Sequence, residues 1–214
     1  MARFFDLSHS IENGMTFFPS DPVPRVTPAA LEPPWRVTDL HLGTHTGTHI
    51  DAPSHFIPNG LTIDQYPPER FFIAGLVVPV RQSDDEAIGP EAFTSHLSNL
   101  PGSSAVLIHT GWNRFWKTER YLRHPYLAPE TASALVEAGV KVIGIDALNV
   151  DSTTHATVHA HQILLGNDIL IIENLTHLEQ LIPGVLYRFS FLPLLLAGLD
   201  GSPIRAVAWE ERGT

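Results

Sequence analysis

The sequence has 214 residues, no cysteine, and 13 Lys and Arg against 23 Asp and Glu, for a formal net charge of −10. The missing cysteine excludes disulfides, thiolate nucleophiles and cysteine-ligated zinc or iron–sulfur sites, so a metal would have to be held by imidazole and carboxylate. The acidic balance argues against nucleic acid or an anionic membrane surface as partner and leaves small molecules or proteins, while the length and the 43% apolar share fit one soluble domain.

In chain order, the opening segment "MARFFDLSHS" turns polar after two phenylalanines and has no apolar h-region, so a Sec signal is not expected and the cytoplasm is the default compartment. The proline-dense segment at 17–34, "FFPSDPVPRVTPAALEPP", reads as an ordered arm or a loop over something rather than regular structure. Residues 41–56, "HLGTHTGTHIDAPSHF", repeat histidine at 41, 45 and 49, a helical spacing that the glycines and threonines contradict; a strand end running into an irregular loop is expected. Strands are expected at 75–80, 105–110, 141–147, 169–175 and 185–191, where short apolar runs are rich in β-branched and aromatic residues. Helical patterns fall at 90–100, at 128–140 with Pro129 and Glu130 in the first turn and Gly139 at the end, and at 155–167. The run "FSFLPLLLAGL" at 189–199 is too short to span a bilayer and is expected in the core. Strands alternating with helices, without a linker or repeat, imply a single α/β domain with a mixed sheet.

The chemistry concentrates in two places. His45, His49, Asp51 and His55 are four ligand-capable groups, of types suited to zinc, manganese or iron, within eleven residues. A lone histidine usually sits on the surface or satisfied in a core, but this density favours a metal loop, with Gly43 and Gly47 free to take positive φ and Pro53 fixing the exit. Downstream lie His155, His159 and His161, followed by Glu173 at the end of an apolar strand, where a carboxylate is costly unless it is paired or bound to a cation. Helical spacing alone would pair His155 with His159 and point His161 elsewhere. Asp146 and Asp151 near a strand end either shape the site or cap a turn, and Phe17, Phe18 and Trp112 either wall a pocket or pack in the core. The local signatures of serine acyl transfer, P-loops and dinucleotide binding do not occur.

"HTGTHIDAPSHF" resembles the H-x-G-T-H-x-D-x-P-x-H signature of the cyclase family of metal-dependent hydrolases, which includes bacterial kynurenine formamidase and isatin hydrolase. "FFDLSHSIENGMTFFPSDP", "VLIHTGW", "VHAHQILLGNDILIIENL" and "DGSPIRAVA" resemble further family segments, so the likeness runs over nearly the whole chain. It implies a swivelling β/β/α fold and two divalent ions per chain, zinc or manganese. His45, His49 and Asp51 would hold the first, and Asp51, His161 and Glu173 the second. His55 would be the catalytic acid/base and Phe18 a substrate contact, standing where formamidases have tryptophan; Ser20 stands where the turn usually has glycine. The implied activity is hydrolysis of a formamide such as N-formylkynurenine. A relative opening a cyclic amide or lactone, and a metal-dependent binding protein without turnover, are the alternatives. The resemblance also implies a homodimer in which the proline-rich arm of one subunit approaches the other's site.

Overall fold

Strands that are apolar at consecutive positions need cover on both faces, and the computed structural model, which describes residues 3–97 and 104–210, provides it. The strands are β1 (Phe4–Asp6), β2 (Arg25–Pro28), β3 (Thr38–His41), β4 (His49–Asp51), β5 (Phe72–Pro79), β6 (Ala87–Ile88), β7 (Ala105–His109), β8 (Tyr126–Leu127), β9 (Val142–Ile145), β10 (Leu170–Glu173), β11 (Tyr187–Ser190), β12 (Gly201–Pro203) and β13 (Val207–Trp209). The α-helices are α1 (Thr94–Leu97), α2 (Pro129–Glu137) and α3 (His159–Gly166). Nine strands share one sheet in the order β1-β13-β11-β5-β7-β9-β10-β4-β12. Its centre, β5-β7-β9-β10, is parallel, and both wings are antiparallel.

Alternation along the central strands feeds two cores. Leu76, Val78, Val106, Ile108, Ile143, Ile145 and Ile171 meet Ala132 and Leu135 of α2 and Ala160 and Leu164 of α3 on one face. The intervening Val77, Leu107, Val142, Leu170 and Ile172 meet Phe5, Tyr187, Phe189 and Ala208 from the far wing on the other. The curled mixed sheet therefore closes over its own second core while helices cover the first, giving three layers, β/β/α, as expected.

All five expected strands form. Pro129 opens α2, and Gly139 at φ +72 follows its end. Three expectations change. First, the helix expected at 155–167 begins only at His159, because Ala156 takes a left-handed φ of +49. Within the pattern expected at 90–100, a 3-10 turn at Pro90–Ala92 precedes α1, and 98–100 lie outside the described residues. Second, the arm at 17–34 contains regular structure. β2 pairs antiparallel with β3, Arg25 opposite His41 and Pro28 opposite Thr38, and the Asn13 amide bonds Val26 N–H and C=O at 2.8 Å each on β2's other edge. Proline is accommodated because Pro24 precedes the strand and Pro28 is its last residue. Third, the run 189–199 is fully buried in the core only at Phe189 and Phe191, with Leu196 partly buried against it. Leu192, Leu194, Leu195 and Leu199 are exposed, Leu195 at 87%, because the chain leaves the sheet after β11 and loops outside before β12. No helix among the described residues is long and apolar enough to cross a membrane.

Candidate metal centre and active site

The site grows from strand register. In β4, side chains at alternating positions send His49 and Asp51 to one face and Ile50 into the second core. Antiparallel pairing places Glu173 of β10 opposite His49 and Ile171 opposite Asp51, so three ligand-type residues converge on one buried surface. The chain reaches β4 through a turn at Gly47, φ +64, whose carbonyl lies 2.8 Å from His49 Nδ1 and so turns Nε2 inward. Gly43 does not take the positive φ expected of it and instead lies against Pro22 of the arm.

His45, in the same turn, brings Nδ1 to 2.7 Å from Asp51 Oδ1 and Nε2 to 2.9 Å from Asp200 Oδ2. This approach requires glycine at 201, where a Cβ would stand 2.7 Å from the Ile50 carbonyl oxygen and 3.1 Å from His45 Cε1. His161 is set by Asp151. One oxygen of that carboxylate accepts the Ala160 N–H (3.0 Å); the other accepts the His161 N–H and Nδ1–H, both at 2.9 Å. Asp151 thus caps α3 and aims His161 Nε2 at Asp51 Oδ2 (3.6 Å) and Glu173 Oε1 (3.5 Å). Asp146 caps a different turn, accepting from Thr110 N–H and Oγ1 and from Gly111 N–H.

Two donor triads share Asp51, His45/His49/Asp51 and Asp51/His161/Glu173, and a third cluster, His45/His55/Asp200, stands beside them nearer the surface. Asp51 Oδ1 faces the first, 3.2 Å from His49 Nε2, and Oδ2 the second. Glu173 lies between the imidazoles, Oε2 3.5 Å from His49 and Oε1 3.5 Å from His161. Asp51 Oδ2 is buried without a hydrogen-bond partner, an unusual cost for a carboxylate that a cation would relieve. The electrostatics agree. Burial and then the Asp51 charge push Glu173 up to about 7. His45 and His161 rise to about 10 because their carboxylate neighbours outweigh burial, and His49 first, then His45 and His161, hold Asp51 well below the carboxylate range against its own burial. Without metal the carboxylates are balanced by protons on histidine; a divalent ion can replace those protons. The residues fit such an ion in donor type, in the orphaned oxygen and in charge.

Above the triads opens a cavity of about 220 Å³ walled by Phe18, Ser20, Asp21, Phe56, Leu148 and Asn149, with His55 at its side. His55 stands 4.0 Å from the His45 ring and puts Nδ1 3.2 Å from Asp200 Oδ2. The structure therefore gathers His45, His49, Asp51, His55, His161, Glu173 and Phe18 around one space. It leaves out His155, exposed, His41, exposed on β3, and His159, whose Nε2 bonds the Leu127 carbonyl at 2.7 Å. Trp112 is core, packed against Phe115. Sequence reasoning missed Asp200 and also Phe56, which stacks on His161 with centroids 4.5 Å apart. The one local signal for Asp200 was its Asp-Gly step before a strand, a common turn pair.

The family model described as "Putative cyclase" matches residues 5–152. A kynurenine formamidase of Bordetella avium is 33% identical over 217 residues, covering 98% of this chain and 99% of that one. Among solved structures, isatin hydrolase A from Labrenzia aggregata superposes with a TM-score of 0.86 at 26% identity, covering 97% of this chain and 93% of that one. A predicted metal-dependent hydrolase from Bacillus stearothermophilus gives 0.81 at 25%, covering 99% and 100%. With a family model matching more than half its length and a relative above 30% identity along nearly all of it, this chain belongs to the cyclase family.

Proposed function

We propose that the protein is a metal-dependent amidohydrolase that cleaves a formamide, with an N-formylated arylamine such as N-formylkynurenine as substrate. The observation that carries this reading is the pair of donor triads joined through Asp51 at the floor of a pocket that also holds a further imidazole, His55. The kynurenine formamidase relative supports the substrate class. His45, His49 and Asp51 would hold one divalent ion and Asp51, His161 and Glu173 a second, zinc first and manganese next. Ions bound there would supply Lewis-acid polarisation of the carbonyl and would lower the pKa of a bound water to about 7.

The chain's own residues do the rest. Phe18, Phe56 and Leu148 give the aryl part an apolar wall and exclude bulk water around the reacting carbon. Water contributes its hydroxyl to the formyl carbon, the C–N electron pair leaves on nitrogen, and the remaining water proton reaches that nitrogen through His55, giving amine and formic acid. His55 suits this because it lies in the pocket beside the two triads that share Asp51 and is not a member of either.

A second reading, opening of a cyclic amide, has its own support in the likeness to isatin hydrolase A and in a pocket wall that, among the described residues, carries no lysine or arginine to meet a substrate carboxylate. Hydrolysis of N-formylkynurenine and of isatin by chelator-stripped and zinc- or manganese-reloaded protein separates the two. A metal-restored kcat/KM of about 10⁴ M⁻¹s⁻¹ or more on the first substrate is the expected result. Restoration on isatin alone would move the assignment to the cyclic amide, and bound metal without turnover on either would leave a binding protein. The same reading takes the chain to act as a homodimer in the cytoplasm. Leu31, Trp35, Val37 and Leu40 of the arm and its ribbon are exposed apolar side chains that a second copy would cover.

A further inference from the structure

We propose that Asp200 is a positioning residue that fixes the ring orientation and tautomer of His55; this rests on the hydrolase reading above. Each histidine of the triads turns its outer nitrogen toward a protein oxygen, His49 toward the Gly47 carbonyl, His161 toward Asp151 and His45 toward Asp200. Asp200 differs from the other two oxygens in also reaching the imidazole outside the triads: Oδ2 is 2.9 Å from His45 Nε2 and 3.2 Å from His55 Nδ1.

The backbone around Asp200 is tied to the segment that carries His55. The Ala52 N–H donates to the Asp200 carbonyl at 2.8 Å, and the His55 N–H donates to the Ala52 carbonyl at 3.0 Å. One residue earlier, the Ile63 N–H donates to the Leu199 carbonyl at 2.9 Å, and the Gly198 N–H reaches Asp64 Oδ1 at 3.0 Å. Carboxylate and imidazole are therefore held by one network although 145 residues separate them. One carboxylate oxygen, Oδ2, thus meets both imidazole nitrogens, and a carboxylate oxygen accepts from each. An acceptor-only group at Nδ1 requires the proton there, which leaves Nε2 as the nitrogen that exchanges protons in the pocket. A ring free to rotate or to switch tautomer would present the wrong nitrogen part of the time.

The test compares Asp200→Asn and Asp200→Glu with wild type on formanilide and 4-nitroformanilide, with metal content measured on the same samples. Protonation matters more for the more basic leaving aniline. Asp200→Asn should lose about 100-fold in kcat on formanilide, with KM within about 3-fold and metal content unchanged, but less than about 10-fold on 4-nitroformanilide. Asp200→Glu should recover part of the loss. Equal losses on both anilides, loss of metal in step with activity, or no loss at all would overturn the proposal. In parallel, ¹⁵N NMR of the zinc-loaded protein, with the His55 signals identified by their disappearance in His55→Gln, should show a protonated Nδ1 in wild type and a mixed tautomer in Asp200→Asn. An unchanged tautomer would refute the assignment. A wild type inert on both anilides would remove the hydrolase reading alone, and the NMR comparison would still decide whether Asp200 sets the His55 ring.

Discussion

The two histidine-rich segments of this protein, 45–55 and 155–161, look alike in composition and behave differently. In the first, His45, His49 and His55 all face the site; in the second, only His161 does. The first segment is read by a strand and the turns at its ends, so alternation and pairing with Glu173 select the residues. The second is read by a helix whose start is set by one carboxylate, Asp151, holding the Ala160 and His161 amides. Spacing of histidines says which residues share a face once an element exists; it does not say where the element begins.

The comparison breaks most completely at Asp51, where the segments meet. Asp51→Asn removes the charge that both triads share and should abolish stoichiometric metal, as read by inductively coupled plasma mass spectrometry, and lower kcat/KM by about 10³-fold or more, on the order of 4 kcal/mol of transition-state stabilisation. Asp151→Asn sharpens it from the second side alone. That variant loosens His161 without touching the first triad, and metal affinity measured by competition with a chromophoric chelator should fall about 10–100-fold for one ion. Acid should weaken both segments together. In the metal-free protein the neighbouring carboxylates raise His45 and His161 well above the ordinary imidazole range, so binding between pH 6 and 8 should release protons and affinity should rise with pH. Calorimetry in buffers of different ionisation enthalpy counts the protons, and an affinity flat across that range would show the histidines already neutral. The smallest effects belong to the histidines left outside. His155→Ala should leave metal content and rate within about 2-fold, and His159→Ala should cost only about 1 kcal/mol of stability through its bond to the Leu127 carbonyl, read as a small shift in Tm.

Much of the fold was legible because the central strands are apolar on both faces, a pattern that only a covered sheet satisfies. The residues that converge beneath the pocket were legible through the family signature, and periodicity alone would have chosen His155 and His159. That choice failed because Ala156 adopts a backbone conformation that composition does not announce. The arm hid β2 because its partner on one edge is a side chain, Asn13, and the leucines of 192–199 were read as core because hydrophobicity does not record that the chain has left the sheet. Asp200 was missed for a geometric reason: its partners His45 and His55 are 155 and 145 residues away, and its backbone is placed by the bond from Ala52.

The alternation along β4 also constrains how the chain can fold. His49 and Asp51 on one face and Ile50 on the other give this three-residue strand incompatible surroundings, polar above and hydrocarbon below. A slip of one residue against β10 would drive an imidazole and a carboxylate into the second core and set an isoleucine where the charges converge. The chemistry of the site therefore doubles as a proofreading device for assembly, because the misaligned sheet strands its charges in an apolar interior and the aligned one does not.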